Sequence, residues 1–212
     1  MRAIPVRPDP QVGRDVRPLP AGAYGIVKRG FDAVTAAALL AVFALPMALI
    51  AIAIRLDSEG PALFRQRRSG RGSREFVIFK FRTMAAGTPD LASHLIAGNA
   101  ARRITRLGGF LRRTGLDELP QLINILRGDM SLVGPRPALF NQDDLIAMRQ
   151  HEGIDALRPG VTGWAQINGR DDIPMDRKVA YDRHYLERCS AAMDLLILVR
   201  TPIALITGRG AN

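Results

Sequence analysis

The chain has 212 residues, 47% of them hydrophobic, and a formal net charge of +10. That is enough to bury one domain-sized core with an added segment, and the surplus positive charge calls for an anionic partner. A single cysteine, Cys189, excludes an internal disulfide and a cysteine-rich zinc site, and His94, His151 and His184 are scattered without metal-ligand spacing.

Of the 30 basic residues only Lys28, Lys80 and Lys178 are lysines. The rest are arginines, whose planar fork matches phosphate and carboxylate oxygens. "SGRGSRE" opens like a dinucleotide-binding glycine motif, but Glu75 stands where the third glycine belongs. No Walker A loop and no G-x-S-x-G elbow is present.

Residues 1–27 carry five prolines and four arginines and read as a flexible basic tail. An uncharged run of 22 residues, Ala33 to Ile54, follows. As a straight helix it would be roughly 33 Å long, enough to cross a hydrocarbon core of about 30 Å. Pro46 interrupts it, removing one backbone hydrogen bond and crowding the carbonyl of Val42. Both flanks are basic: Lys28 and Arg29 before, then Arg55, Arg65, Arg67, Arg68 and Arg71 after. Basic flanks prefer the cytoplasmic side. The run is therefore expected to be a re-entrant hairpin over residues 28–56, broken at Pro46. A Pro-kinked spanning helix is the other solution that bilayers tolerate.

The remainder, 57–212, reads as one catalytic domain. Glu75 to Met84 predicts a strand, with Phe76, Ile78, Lys80 and Arg82 on one face and Val77, Phe79, Phe81 and Thr83 on the other. Lys80 and Arg82 thus point the same way from a strand end, as phosphate binders or as a solvated edge. A short helix is expected around Asp90 to Ile96. From Leu119 the spacing of Leu119, Leu122, Ile123 and Leu126 predicts a helix, with Asp117 as its N-cap and Glu118 at its start. "GDMSLVGPRP" ends that helix and holds Arg136 between two prolines on stiff extended backbone. "LRPGVTGWAQINGRDD" is a second loop, carrying Arg158. A helix around Lys178 to Cys189 follows. The final segment, Met193 to Gly208, is apolar but interrupted by Arg200 and Pro202, and suits the membrane interface or the core.

The adjacent carboxylates in "RRTGLDELPQLINIL" are the chemical focus. An acid at a helix start is commonly just a cap. Here arginines frame the pair, and a helix N-terminus also attracts phosphate. An ionised carboxylate attacks phosphorus without a general base. It must first be screened from a diphosphate's charge, by arginines and a divalent metal. Mg²⁺ uses one or two carboxylates plus substrate phosphates, which Asp117 and Glu118 would supply. A glycosidase needs its two acids across a sugar, roughly 5–10 Å apart, a geometry that sequence neighbours do not readily give.

Six blocks in order carry a resemblance: "KRGFD", "GPALFRQRRSG", "FVIFKFRTM", "RRTGLDELPQLINILRGDMSLVGPRP", "RPGVTGWAQINGR" and "YDRHYL" with the "MDLLIL" that follows. Over about residues 26–207 the chain resembles the monotopic phosphoglycosyl transferases, the bacterial sugar transferase family. The resemblance implies a small, mostly helical α/β (α+β) catalytic domain with short strands. A re-entrant helix-break-helix would hold it on the cytoplasmic face of the bacterial inner membrane, with C-terminal helices at the interface.

It also implies that Asp117 attacks the β-phosphate of a UDP-sugar. UMP leaves, and polyprenol (undecaprenyl) phosphate then takes the phosphosugar from the Asp. The reaction needs Mg²⁺ and starts surface-polysaccharide assembly. Asp117 would be the nucleophile, Glu118 a metal ligand or acid-base partner, and Arg112 the residue that orients Asp117. Lys80, Arg82, Arg136 and Arg158 would hold phosphates or nucleotide. Homodimerisation and contact with downstream glycosyltransferases are compatible; nucleic acid is not an expected partner.

Three positions depart from the family pattern: Leu45 stands where a Ser often precedes the hairpin Pro, Gly115 where a Ser precedes "LDELPQ", and Ala101 where an Asp is common. The long N-terminal extension of larger members is not seen, which reads as a short form. The alternative reading is a basic membrane-attached binding or adaptor protein without catalysis. It explains the charge and the apolar run but not an acid pair framed by arginines.

Overall fold

The computed structural model describes residues 23–85, 87–88, 103–169 and 173–206. Most of the proposed tail and the helix expected at Asp90–Ile96 lie outside them. The described chain is mostly helical with short strands, as the resemblance implies.

Helix α1 (Ala23–Asp57, 35 residues) starts five residues before the expected boundary and is one helical element that includes Pro46. Its contacts fall at helical spacing in two stretches. Ala36, Leu39 and Leu40 pack on a core of Ile78, Leu122, Ile125, Met130, Val133, Tyr185 and Ile197. Met47, Ile50, Ala51 and Ile54 pack on Phe81 and Leu111. Away from that stripe, Val34, Val42, Leu45, Leu49 and Ile52 are each more than half exposed. A buried side chain of that size contributes roughly 1.5–3 kcal/mol, so this face is built for an apolar surrounding rather than water.

Polar bonds fasten both ends of α1 to the same body. At the N-terminal end Asp32, 2% exposed, accepts from Ser131 Oγ (2.7 Å) and from the Leu132 amide (3.3 Å). Asp194 accepts from Tyr24, Lys28 and Tyr185 within 2.6–2.8 Å. At the C-terminal end Arg82 donates to the carbonyls of Ile54, Ser58 and Glu59 and to Ser58 Oγ. The Ile54 carbonyl also accepts from the Ser58 amide (3.2 Å), and the guanidinium gathers these carbonyls as a cap on the helix end.

Strands β1 (Leu63–Ser69) and β2 (Glu75–Phe81) form an antiparallel hairpin with Leu63 opposite Phe81 and Ser69 opposite Glu75. β2 ends three residues before the expected Met84, because Arg82 turns to α1. Helix α2 (Arg106–Thr114) is N-capped by Thr105 and presses on Thr83 through Gly108, where any Cβ would overlap the Thr83 carbonyl. Helix α3 (Gln121–Arg127) buries Gln121, Leu122, Asn124 and Ile125 and leaves Leu126 exposed, so its buried face is rotated from the one the spacing suggests. Asn124 is the reason. Its Oδ1 accepts from the Phe79 amide (3.0 Å) and its Nδ2 donates to the Val77 carbonyl (2.7 Å), completing the free edge of β2.

Two short parallel strands, β3 (Ser131–Val133) and β4 (Gly160–Thr162), pair Ser131 with Gly160 and Val133 with Thr162. Gly134 and Gly160 meet backbone to backbone, with no room for a Cβ on either. Between these strands α4 (Asp143–His151) packs with α6 (Met175–Arg188) around Leu145, Ile154 and Val179. Helix α5 (Trp164–Gly169) follows β4. The final helix, α7 (Ala191–Ile206), contains Pro202; Ile197 is fully buried in the main core, while Leu195, Val199 and Ile203 are exposed.

Candidate active site

The site forms where β2, the end of α2 and the start of α3 meet. Gly115, at φ 72°, ends α2 in the left-handed region that glycine adopts without strain. The chain then makes one 3₁₀ turn, Leu116–Glu118, and enters α3 through Pro120. This corrects the expectation that Asp117 caps the helix. Pro120 holds that position, and the Asp117 side chain makes no capping bond.

Asparagine 124, by locking α3 to β2, places Glu118 beside Lys80. Glu118 Oε1 accepts from Lys80 Nζ (2.7 Å) and from Arg136 Nη1 (3.1 Å). Lys80 and Glu118 are largely buried; Arg136 is about one-third exposed. Burial pushes the Glu118 carboxyl up, but Lys80 and Arg136 overcome that and hold it at about 2. Burial pulls Lys80 down, against Glu118.

Asp117 is in the opposite condition. It is only 9% exposed, and no described side chain donates to its carboxylate or pairs with it within 4 Å. Burial, then the charge of Glu118, push it up to about 6, against the pull of Lys80, Arg112 and Arg136. The expected effect of Arg112 is present but outweighed. Arg112 itself is fixed by a bond from Nε to Thr83 Oγ1 (2.8 Å).

Asp117, Glu118, Arg112, Lys80 and Arg136 are thus brought together. Arg82 and Arg158 are not. Arg82 caps α1, and Arg158 donates from Nε to the Gly128 carbonyl at the far end of α3 (3.0 Å). Sequence reasoning missed the supports. Arg149 is gripped by Asp182 through two bonds (2.6 and 3.0 Å) and donates to the Arg136 carbonyl (2.8 Å), steadying the Pro-Arg-Pro segment. Thr83, Asn124 and Arg149 gave one signal only, in that Asn124 is a polar residue on a helix face that must be buried.

The carboxylates present hard oxygen donors. Both Asp117 oxygens and Glu118 Oε2 lack a hydrogen-bond donor among the described residues. No group of three or more His, Cys, Asp or Glu side chains that could hold a metal occurs among those residues. The donor set therefore suits a Mg²⁺ ion that draws its other ligands from substrate phosphates and water, as that ion commonly does.

The chain as a whole is similar to known proteins. A family model described as bacterial sugar transferase matches residues 23–208. The chain is 44% identical over 199 residues to a UDP-glucose:undecaprenyl-phosphate glucose-1-phosphate transferase of Caulobacter vibrioides, covering 90% of this chain and 73% of that protein. It is 36% identical over 205 residues to a UDP-N-acetylgalactosamine-undecaprenyl-phosphate N-acetylgalactosaminephosphotransferase of Aeromonas hydrophila, covering 92% of this chain and 47% of the relative. It is 36% identical over 218 residues to the exopolysaccharide production protein ExoY of Sinorhizobium fredii, covering 95% and 93%.

Proposed function

The chain belongs to the bacterial sugar transferase family, and from that premise we propose that it transfers a sugar 1-phosphate from a UDP-sugar to undecaprenyl phosphate, with Asp117 as the nucleophile. One observation carries the assignment of Asp117. Two neighbouring carboxylates differ completely in environment: Glu118 is neutralised by Lys80 and Arg136, and Asp117 is bare. A carboxyl near 6 is mostly ionised at pH 7 yet more basic than an ordinary Asp, which makes it the better nucleophile.

In the first step an Asp117 oxygen bonds to the β-phosphorus. The bond from that phosphorus to the oxygen bridging the two phosphates breaks, and its electron pair leaves with UMP. In the second step an oxygen of the lipid phosphate bonds to the same phosphorus and the Asp117 carboxylate departs. Lys80, Arg112 and Arg136 surround the reacting carboxylate and screen the donor's negative charge. Asp117 and Glu118 would hold Mg²⁺, which when bound supplies further charge neutralisation at the phosphates. The relatives' names differ in sugar, so the donor is assigned here by class.

Membrane attachment follows from α1. Its two ends are bonded to the same folded body, Asp32 to β3 and the Ile54–Glu59 carbonyls to Arg82. That favours the re-entrant hairpin on the cytoplasmic face over a crossing helix. A cysteine introduced near residue 20 should be labelled from inside the cell; labelling only from outside would refute it.

The test of mechanism is donor alone. Protein incubated with UDP-sugar and Mg²⁺, without lipid acceptor, should release about one UMP per active site and carry a phosphosugar on the peptide containing Asp117. A preparation that turns over with acceptor but never shows that adduct would exclude Asp117 as a covalent nucleophile. Release of UDP instead of UMP would mean ordinary glycosyl transfer.

A further inference from the structure

A second basic cluster lies outside the active site, in a cavity of about 400 Å³ at the start of α1. That size is within the range of small-ligand sites. Lys28 and Arg29 from α1, Arg71 from the β1–β2 turn and Arg158 before β4 line it. The charges do not cancel. Lys28 is paired with Asp194, and Asp32, the acid lining the cavity, is already bonded to Ser131 and Leu132. Arg29 donates to the carbonyls of Ile125 and Leu126, and Arg158 to that of Gly128, so both meet neutral acceptors. The Arg71 guanidinium has no hydrogen bond or ion pair among the described residues, and it is exposed. The terminal nitrogens of Arg158 also have no acceptor there. Burial, then Arg71 and Arg29, make it harder for Arg158 to keep its charge.

With Lys28 paired to Asp194, three guanidiniums stand around the cavity against one carboxylate, Asp32, and the surplus positive charges repel one another unless an anion sits between them. The first turn of α1 lines the same cavity at Tyr24, Gly25 and Ile26. Arginine forks and concavity together suit a tetrahedral oxyanion.

We propose that this cavity is a second phosphate-binding site, separate from the Asp117 centre. It stands at the C-terminal end of α3, whereas Asp117 precedes the N-terminal end. Seven residues of helix set the two apart by on the order of 10 Å. A phosphate held here is therefore not the one that reacts. Its source is either the headgroup of an anionic lipid, since α1 leads directly into the apolar run, or a soluble phosphate.

The probes are phosphatidylglycerol, phosphatidylcholine and inorganic phosphate, offered to the full chain in detergent. Native mass spectrometry counts retained lipid, and equilibrium dialysis measures phosphate. Arg71→Glu is the main variant, because Arg71 makes no bond that folding needs; Asp117→Asn is the control for the reacting centre. Expected is retention of phosphatidylglycerol but not phosphatidylcholine if the source is lipid, or saturable phosphate binding if it is soluble. In either case Arg71→Glu should weaken binding at least about tenfold. Asp117→Asn should leave that sensitivity to Arg71→Glu intact. Binding of phosphatidylglycerol and phosphate by Arg71→Glu as by wild type would overturn the proposal, and so would wild type that binds neither.

Discussion

The protein has two basic clusters, one at each end of α3, and they handle charge in opposite ways. At the N-terminal end Lys80 and Arg136 face a carboxylate, Glu118, that they neutralise, beside a second carboxylate, Asp117, that no donor satisfies. At the C-terminal end Arg29 and Arg158 face backbone carbonyls, and Arg71 faces the cavity. On the proposed reading, the first arrangement holds an acid ready to react and the second leaves cations ready to bind. Counting arginines does not distinguish them; the identity of each acceptor does.

The largest expected effect comes from removing the unsatisfied acid. Asp117→Asn should lower kcat on the order of 10⁴-fold, as for other nucleophiles, measured as UMP release with acceptor present. The same change should stabilise the fold. A carboxyl raised from 3.8 to about 6 disfavours the folded state as pH rises through that window, and the penalty is complete above it. Its removal at pH 7 is worth on the order of 1–3 kcal/mol, read from thermal or denaturant unfolding in detergent. An inactive variant that is also less stable would show that Asp117 is structural.

Next in size is the helix between the clusters. Asn124→Leu should cost about 2–4 kcal/mol, because the Phe79 amide and Val77 carbonyl both lose their partner. It should also loosen Glu118 from Lys80, so that activity falls at temperatures where the fold survives.

The pH dependence sharpens the first cluster. The acidic limb of kcat/KM should lie near 6, with rate lost as pH falls and Asp117 gains its proton. Lys80→Met should move that limb upward, since Lys80 pulls Asp117 down. Glu118→Gln should move residual activity the other way, since Glu118 pushes Asp117 up. Shifts of the same sign in both variants would break the assignment.

The smallest effect is expected at the other cluster. Arg158→Met removes one bond to a carbonyl and should destabilise by about 0.5–1.5 kcal/mol, leaving the acidic limb of the pH profile in place.

Much of this was legible in the sequence. The apolar run, the β2 strand and the final helices follow from periodicity and turn residues, while the grouping of Asp117, Glu118, Arg112, Lys80 and Arg136, expected together with Arg82 and Arg158, comes from the resemblance. What was not legible is side chain meeting backbone across long separations. Asp32 reaches Leu132, Asn124 reaches Val77 and Arg82 reaches Ile54, and such bonds leave no periodic trace. Arg82 shows the cost. Alternation places it on the face of Lys80, but β2 ends at Phe81, and one residue later the chain is free to turn. Arg158 likewise looks like a ligand of the reacting phosphate until the helix that separates it from Asp117 is in place.

Lys80 and Arg82 are two positions apart, one on Glu118 and the other on the last carbonyls of α1. In extended chain that is about 7 Å. The reacting acid therefore stands at nearly the same altitude as the point where the anchor surfaces. If Asp117 is the nucleophile and α1 the anchor, as proposed, a long-chain lipid phosphate whose headgroup floats at that level would be met without being lifted out of its layer, and the water-borne donor alone would have to travel.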